Sequence, residues 1–274
     1  MGELTSRQDV SAQVVGAADL DRRFSGLDRL YGVEPAKAVR GAHVAIVGVG
    51  GVGSWAAEAL ARSGVGRLTL IDMDHVAESN INRQVHALTP TVGMSKVEAM
   101  RERIALINPL CTVTCVDVFV EPDNWPSVLP ADVDATIDAC DQVLAKAAMA
   151  DWARRTKALF IAVGAAGGKR HAHKVDIADL SETTHDPLLA QLRYRLRKMH
   201  NAPRDGKKMG VVCVFSREAV MAADASCATQ ADNSLNCHGY GSIVSVTATF
   251  GLCAAGWVLD KISQRKLRAD QKTL

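Results

Sequence analysis

The chain switches repeatedly between short apolar runs and apolar residues at helical spacing. Residues 44–47, Val-Ala-Ile-Val, form one continuous run, and Trp55, Ala56, Ala59 and Leu60 then recur at the period of a helix. A second run, RLTLI at 67–71, precedes a polar loop over 72–91. Ser95 stands as N-cap for the helix KVEAMRERIALI, which closes before Asn108-Pro109. Residues 112–118 alternate as a strand, 122–129 read as a short helix and 133–137 as a further strand. A helix over 142–155 leads into the strand ALFIAVG and the pair Gly167-Gly168. Beyond Lys174 the pattern weakens. Residues 173–177 read as a strand, 181–208 as a polar stretch with a basic second half, and VVCVF as a short strand. Ahead of all this, 21–31 form a helical lead-in with Phe24, Leu27, Leu30 and Tyr31 on one side, and 1–20 read as a mobile terminus. Strands alternating with helices of this length predict a doubly wound, Rossmann-like α/β fold: a mostly parallel sheet with helices on both faces.

One segment raises the question of a membrane. Residues 242–259, SIVSVTATFGLCAAGWVL, carry no charge and are just long enough to span. Their small and hydroxyl side chains, with Asp260 and Lys261 at the end, favour a buried C-terminal helix over 242–262 instead of membrane association. No repeat or linker divides the chain, so 21–274 read as one domain with a basic insertion at 181–208. Hydrophobic residues make up 48%, and 32 basic residues stand against 30 acidic, which describes a soluble globular protein. A net charge of +2 does not announce a nucleic-acid partner, so any such contact must come from a local patch. The seven cysteines form no CxxC pair, against a zinc ribbon, and no signal peptide is evident. Reduced thiols in the cytoplasm are the expectation.

The stretch HVAIVGVGGVGS organises the chemistry. Gly48 permits a tight turn, Gly50 lets the backbone approach a phosphate, and Gly53 allows close helix–strand packing at a helix start that attracts anions. Asp72, ending the second strand, stands where an acid holds a ribose hydroxyl. In the following loop and helix, Arg83 and Lys96 offer two cations to a triphosphate whose charge shifts as pyrophosphate leaves. Asp141, at a later strand end, suits a magnesium ion bridging phosphates. A hydride-transfer enzyme needs no such cationic pair.

GVGGVGS, D-x-D-x5-N-x2-R-Q, Lys96 and Asp141 together resemble the adenylating domain shared by ubiquitin-activating enzymes, MoeB and ThiF. RFSGLDRLYG, TLIDMD, NRQVHAL and VTATFG bring the resemblance closer to the bacterial tRNA threonylcarbamoyladenosine dehydratases, from about residue 23 to 262. The resemblance implies an enzyme that uses ATP and Mg2+ to activate the carboxylate of N6-threonylcarbamoyladenosine beside a tRNA anticodon and close it into a ring with loss of water. It implies that Asp72 holds the ribose, that Asn80, Arg83, Gln84 and Lys96 hold phosphates, and that Asp141 binds the metal. Gly48, Gly50, Gly51, Gly53 and Ser54 would form the nucleotide turn, with Asp74 either in the site or bonding its own loop. Arg83, Lys96 and Asp141 would carry the catalysis. A homodimer, a tRNA partner and a sulfur-relay protein partner belong to the same implication.

Two departures stand out. The wider family places an arginine, reaching into the partner subunit's site, where this chain has Gly26, so Arg22, Arg23 or Arg29 substitutes or the contact is lost. The missing CxxC pairs count against a ubiquitin-like protein substrate, although adenylation of a sulfur carrier's C-terminal glycine remains the alternative. Cys140 and Cys237 read as packing residues before nucleophiles, and His171 and His173 as a polar strand face. The basic run LRYRLRKMHNAPRDGKK is either an RNA grip or a solvated face.

Overall fold

Helix α1 (Leu20–Tyr31) starts on Asp19, whose side chain accepts the Arg22 N–H. The structure, a computed structural model, describes residues 18–204, 206–222 and 240–271, with side chains to 265. Most of the terminus expected to be mobile, and Cys237, lie outside the described residues. Helix α2 (Val33–Gly41) has no counterpart in the sequence reading, because Pro35 in its first turn reads as a break although that position tolerates proline.

The sheet follows the expected alternation. Strands β1 (His43–Val47), β2 (Arg67–Ile71), β3 (Thr112–Val116), β4 (Ala135–Asp138), β5 (Leu159–Val163), β6 (Val175–Asp179) and β7 (Val212–Ser216) lie in the order β3-β2-β1-β4-β5-β7-β6. All neighbours are parallel except β6, which runs antiparallel to β7 at the edge. Strand order reverses between β1 and β4, so the crevice outside their carboxyl ends is where such a sheet binds ligands.

Side-chain alternation divides the core into two layers. Ile161 and Val163 of β5 face one layer, and Phe160 and Ala162 face the other. The first layer is closed by α3 (Gly53–Arg62), α4 (Lys96–Ile107) and α7 (Val244–Gln271), the second by α5 (Val143–Thr156) and α6 (Pro187–Met199). Helix α7 buries Val246, Phe250, Ala254 and Val258 at four-residue spacing. It crosses α3 at backbone contact, since a Cβ on Gly251 would stand 2.8 Å from Ala56 N and 2.9 Å from Trp55 Cβ. Among the described residues no helix is long and apolar enough to cross a membrane.

Several local readings need correction. Residues 122–129 form turns instead of a helix, because Pro126 has no N–H and restricts Trp125, while the Asn124 side chain bonds Glu121 N and Phe119 O. Ser95 takes the N-cap position of α4 as expected, but its side chain makes no capping hydrogen bond. His171 and His173 sit at a helical turn, Ala172–Lys174, not on a strand. There the Glu218 carboxylate takes the Arg170 and His171 N–H groups and delays the strand to Val175. The polar stretch 181–208 contains the amphipathic α6, with Leu189, Leu192 and Leu196 buried.

Candidate functional site

The glycine turn crosses the end of β1 as its sequence requires. Gly48 takes φ +84°, and a Cβ there would meet the Ala139–Cys140 backbone at 2.9 Å. A Cβ on Gly53 would overlap the Gly48 carbonyl, so α3 starts in contact with the turn. A Cβ on Gly50 would meet only Gln84 Nε2, at 3.9 Å, whereas one on Gly51 would touch Arg83 Cδ and Cγ and Thr247 Cγ2 at 3.4 Å. No side chain caps α3, and although Ser54 N–H already donates to Gly50 O at 3.1 Å, the helix start still favours an anion.

Asp72 ties this turn to the loop beyond β2. One carboxylate oxygen accepts Val49 N–H at 2.6 Å, and the other accepts Asp74 N–H at 2.8 Å. Burial raises its pKa, opposed by Lys96 and by those two backbone donors. Lys96 is itself buried, its Nζ 2.6 Å from Asp74 Oδ2, so Asp74 belongs both to the loop and to the site's charge network. Asn80 serves the loop: its side-chain oxygen accepts Ala77 N–H at 3.0 Å. Ser54 Oγ accepts Val85 N–H at 3.4 Å.

Arg83 and Gln84 present opposite cases. The Arg83 guanidinium donates to Ser79 O at 2.6 Å and to Asn82 Oδ1 at 3.0 Å. Its carbonyl accepts from Trp55 Nε1 and Thr247 Oγ1, pinning the residue to α3 and α7. The Gln84 amide oxygen is buried without a hydrogen-bond partner. His86, buried behind Lys96, also has both ring nitrogens unpartnered, and burial, then Lys96 and Arg103, hold its pKa down at about 4.

On the other side of the turn, Asp141 follows Cys140, whose backbone backs onto Gly48. The Asp141 carboxylate meets only the Gln142 amide, at 3.4 Å, among the contacts described. Beneath it lies a pair that the sequence reading missed. Lys146, fully buried, donates to Asp138 Oδ1 at 2.9 Å and to Cys140 O at 2.8 Å. Burial pulls the Lys146 ammonium down, but Asp138 with Cys140 and Cys213 together outweigh it, so its pKa lies above the usual lysine value. The available signal was a lysine inside the small-residue helix face V-L-A-K-A-A-M. Cys140 donates its thiol to Asp138 Oδ1 at 3.1 Å, and burial pushes its pKa up, which suits packing over nucleophilic attack. Contacts thus join Gly50 to Gln84, Gly51 to Arg83, and Asp72, Asp74 and Lys96 to one another around the turn, while Asn80 and Ser54 bond the loop and Asp141 stands one residue beyond the Cys140 backbone that Gly48 approaches.

Helix α6 bears the basic stretch. Tyr194 is 61% exposed, with Lys198 Nζ 5.6 Å from its ring centre, beside a cleft of about 390 Å³. Two arginines of α6 and one beyond it hold protein: Arg193 donates to Leu180 O and Thr183 O, Arg197 to Pro203 O, and Arg204 to Arg197 O. Arg195 and Lys198 line the outer face.

The ThiF family model matches residues 22–274. The tRNA threonylcarbamoyladenosine dehydratase of Haemophilus influenzae is 44% identical over 250 residues, covering 90% of this chain and 95% of that protein. The crystal structure of the E. coli tRNA N6-threonylcarbamoyladenosine dehydratase, TcdA, in complex with ATP superposes with a TM-score of 0.83 at 43% identity, covering 92% of this chain and 98% of that one. The molybdopterin-synthase adenylyltransferase of Salmonella typhimurium is 40% identical over 115 residues, 42% of this chain and 46% of that protein.

Proposed function

The chain belongs to the ThiF family, and from that premise we propose that it uses ATP to activate the carboxylate of N6-threonylcarbamoyladenosine in tRNA and closes it into a ring with net loss of water. One observation carries this reading: the phosphate turn, its two cations and the basic helix all lie inside a match to the dehydratases that runs nearly end to end. The likeness to the sulfur-carrier adenylyltransferase stops at less than half the chain.

The residues have distinct tasks. Asp72, its oxygens already anchored by Val49 and Asp74, offers its remaining lone pairs to ribose hydroxyls. The turn from Gly48 to Gly53 and the start of α3 receive the phosphates. A substrate carboxylate oxygen attacks the α-phosphorus, and Arg83 and Lys96 take up the charge that grows on departing pyrophosphate. Lys96 is held ready by Asp74. A nucleophilic atom of the substrate then attacks the acyl carbon, and AMP leaves with the original carboxylate oxygen. No protein thiol enters the balance. Asp141 suits magnesium, which takes one or two carboxylates plus substrate phosphates and would neutralise the phosphate charge there. Among the described residues no cluster of three or more ligands offers an all-protein site.

The finer assignments belong to the same proposal. The protein acts in the cytoplasm as a homodimer, with a sulfur-relay protein as a further partner. Arg23 donates to Ile107 O, which leaves the exposed Arg22 and Arg29 to replace the arginine absent at Gly26. Tyr194, Arg195 and Lys198 grip the RNA, by stacking and phosphate contact. The test is which substrate makes the purified protein release AMP and pyrophosphate. Modified tRNA supports the reading, and a Gly-Gly-ended protein alone would replace it with the sulfur-carrier alternative.

A further inference from the structure

The segment 164–169, Gly-Ala-Ala-Gly-Gly-Lys, leaves the carboxyl end of β5, whose parallel neighbour β4 leads into Asp141, at the end of the sheet where such folds bind ligands. Its side chains are small, and it is tied down from outside. Gly164 N–H donates to Val214 O at 2.9 Å. Lys169, 2% exposed, sends its Nζ to His185 O at 3.0 Å and Glu218 O at 2.8 Å.

The main tie is Asp186, 5% exposed, which the nucleotide chemistry does not use. Its Oδ1 caps α6 by accepting Leu189 N–H at 3.0 Å. Its Oδ2 accepts Ala165 N–H at 2.9 Å, inside that segment. Glycine at 164 serves the same contact, because a Cβ there would overlap the Asp186 carboxylate, with Cγ 2.8 Å away. One buried carboxylate thus joins the helix that carries Tyr194, Arg195 and Lys198 to the strand end next to Asp141.

We propose that Asp186 is a positioning residue that fixes the segment 164–168 to the RNA-facing helix α6, so that a bound tRNA presents its carboxylate at a set distance from the phosphate turn. The proposal rests on the tRNA reading above. Both macromolecule and nucleotide bind without this tie, but the two reacting groups lose their registration. A misplacement of about 1 Å costs turnover up to about a hundredfold.

The test uses the full chain and tRNA carrying threonylcarbamoyladenosine. Asp186→Ser keeps a capping oxygen for Leu189 N–H but has no second oxygen for Ala165, and serine caps about as well as aspartate. The expected result is a variant that still folds, with a kcat for AMP release at least about tenfold lower and the separate Kd values for ATP and tRNA nearly unchanged. Gly164→Ala drives a Cβ into the same contact from the other side; it lowers Tm but gives the same fall in kcat with the two Kd values held, which keeps the proposal testable if Asp186→Ser fails to fold. A kcat near the parent's, or a tRNA affinity that falls in step with kcat, overturns it. A parent protein that releases no AMP with modified tRNA refutes the tRNA reading, and this proposal with it, before any variant is made.

Discussion

Lys96 meets Asp74 at 2.6 Å while nearly excluded from water, so its charge is held in place before any nucleotide arrives. Replacing it by alanine removes a preorganised cation, and AMP release should fall by about a hundredfold; near-normal turnover in folded Lys96→Ala would remove Lys96 from the catalytic set. His86 gives a pH signature. The unfolded chain protonates an imidazole near 6.5, and the fold keeps His86 neutral down to about 4. Its contribution to stability is therefore complete above 6.5 and lost as pH falls from 6.5 towards 4, by up to about 1.4 kcal/mol per pH unit. Urea unfolding of the parent should lose stability over that window relative to His86→Gln, and parallel profiles would contradict it. The place of Asp72 was legible from sequence, since an apolar run of strand length ends directly before it, and the structure finds it there, bonded to Val49 and Asp74 N–H. Lys146 was not, because a lysine on a helix is ordinarily solvated, and only packing shows Asp138 beneath it.

Helix α6 shows why an element can hide. Leu189, Leu192 and Leu196 form a stripe one residue wide, and the arginines between them make 181–208 read as a polar stretch. Of the basic side chains there, Arg193 and Arg197 hold neighbouring backbone, so Arg195 and Lys198 are the pair to remove. Replacing both by alanine should weaken tRNA binding and lower the log–log salt slope by roughly 0.7–0.9 per lost phosphate contact. ATP affinity should not move. An unchanged slope would make this face merely solvated. Helix α7 makes the opposite point, since its apolar run was legible but not its seat against α3. Gly251→Val forces a side chain into the Trp55–Ala56 turn and should cost about 1–3 kcal/mol, read from the denaturation midpoint. An unshifted midpoint would deny that close crossing.

At the scale of the molecule, the alternating pattern was enough for a parallel sheet, because strands separated by helices pair no other way with short connections. It was not enough for the edge, where β6 turns antiparallel against β7 and only the neighbouring ties of Lys169, Asp186 and Glu218 show the arrangement. The reversal between β1 and β4 sets the phosphate turn beside Asp141, and the segment after β5 is tied to α6. On the proposed reading, the contacts of Asp186 link the ATP site to the RNA-facing helix. On this reading the tRNA carboxylate attacks the α-phosphorus of ATP. The direct measurement is mass spectrometry of the nucleotide released from tRNA whose threonylcarbamoyl carboxylate carries heavy oxygen. The account predicts AMP bearing one heavy oxygen together with a cyclised, dehydrated tRNA nucleoside; heavy oxygen in inorganic phosphate with ADP, or unlabelled AMP, would contradict it.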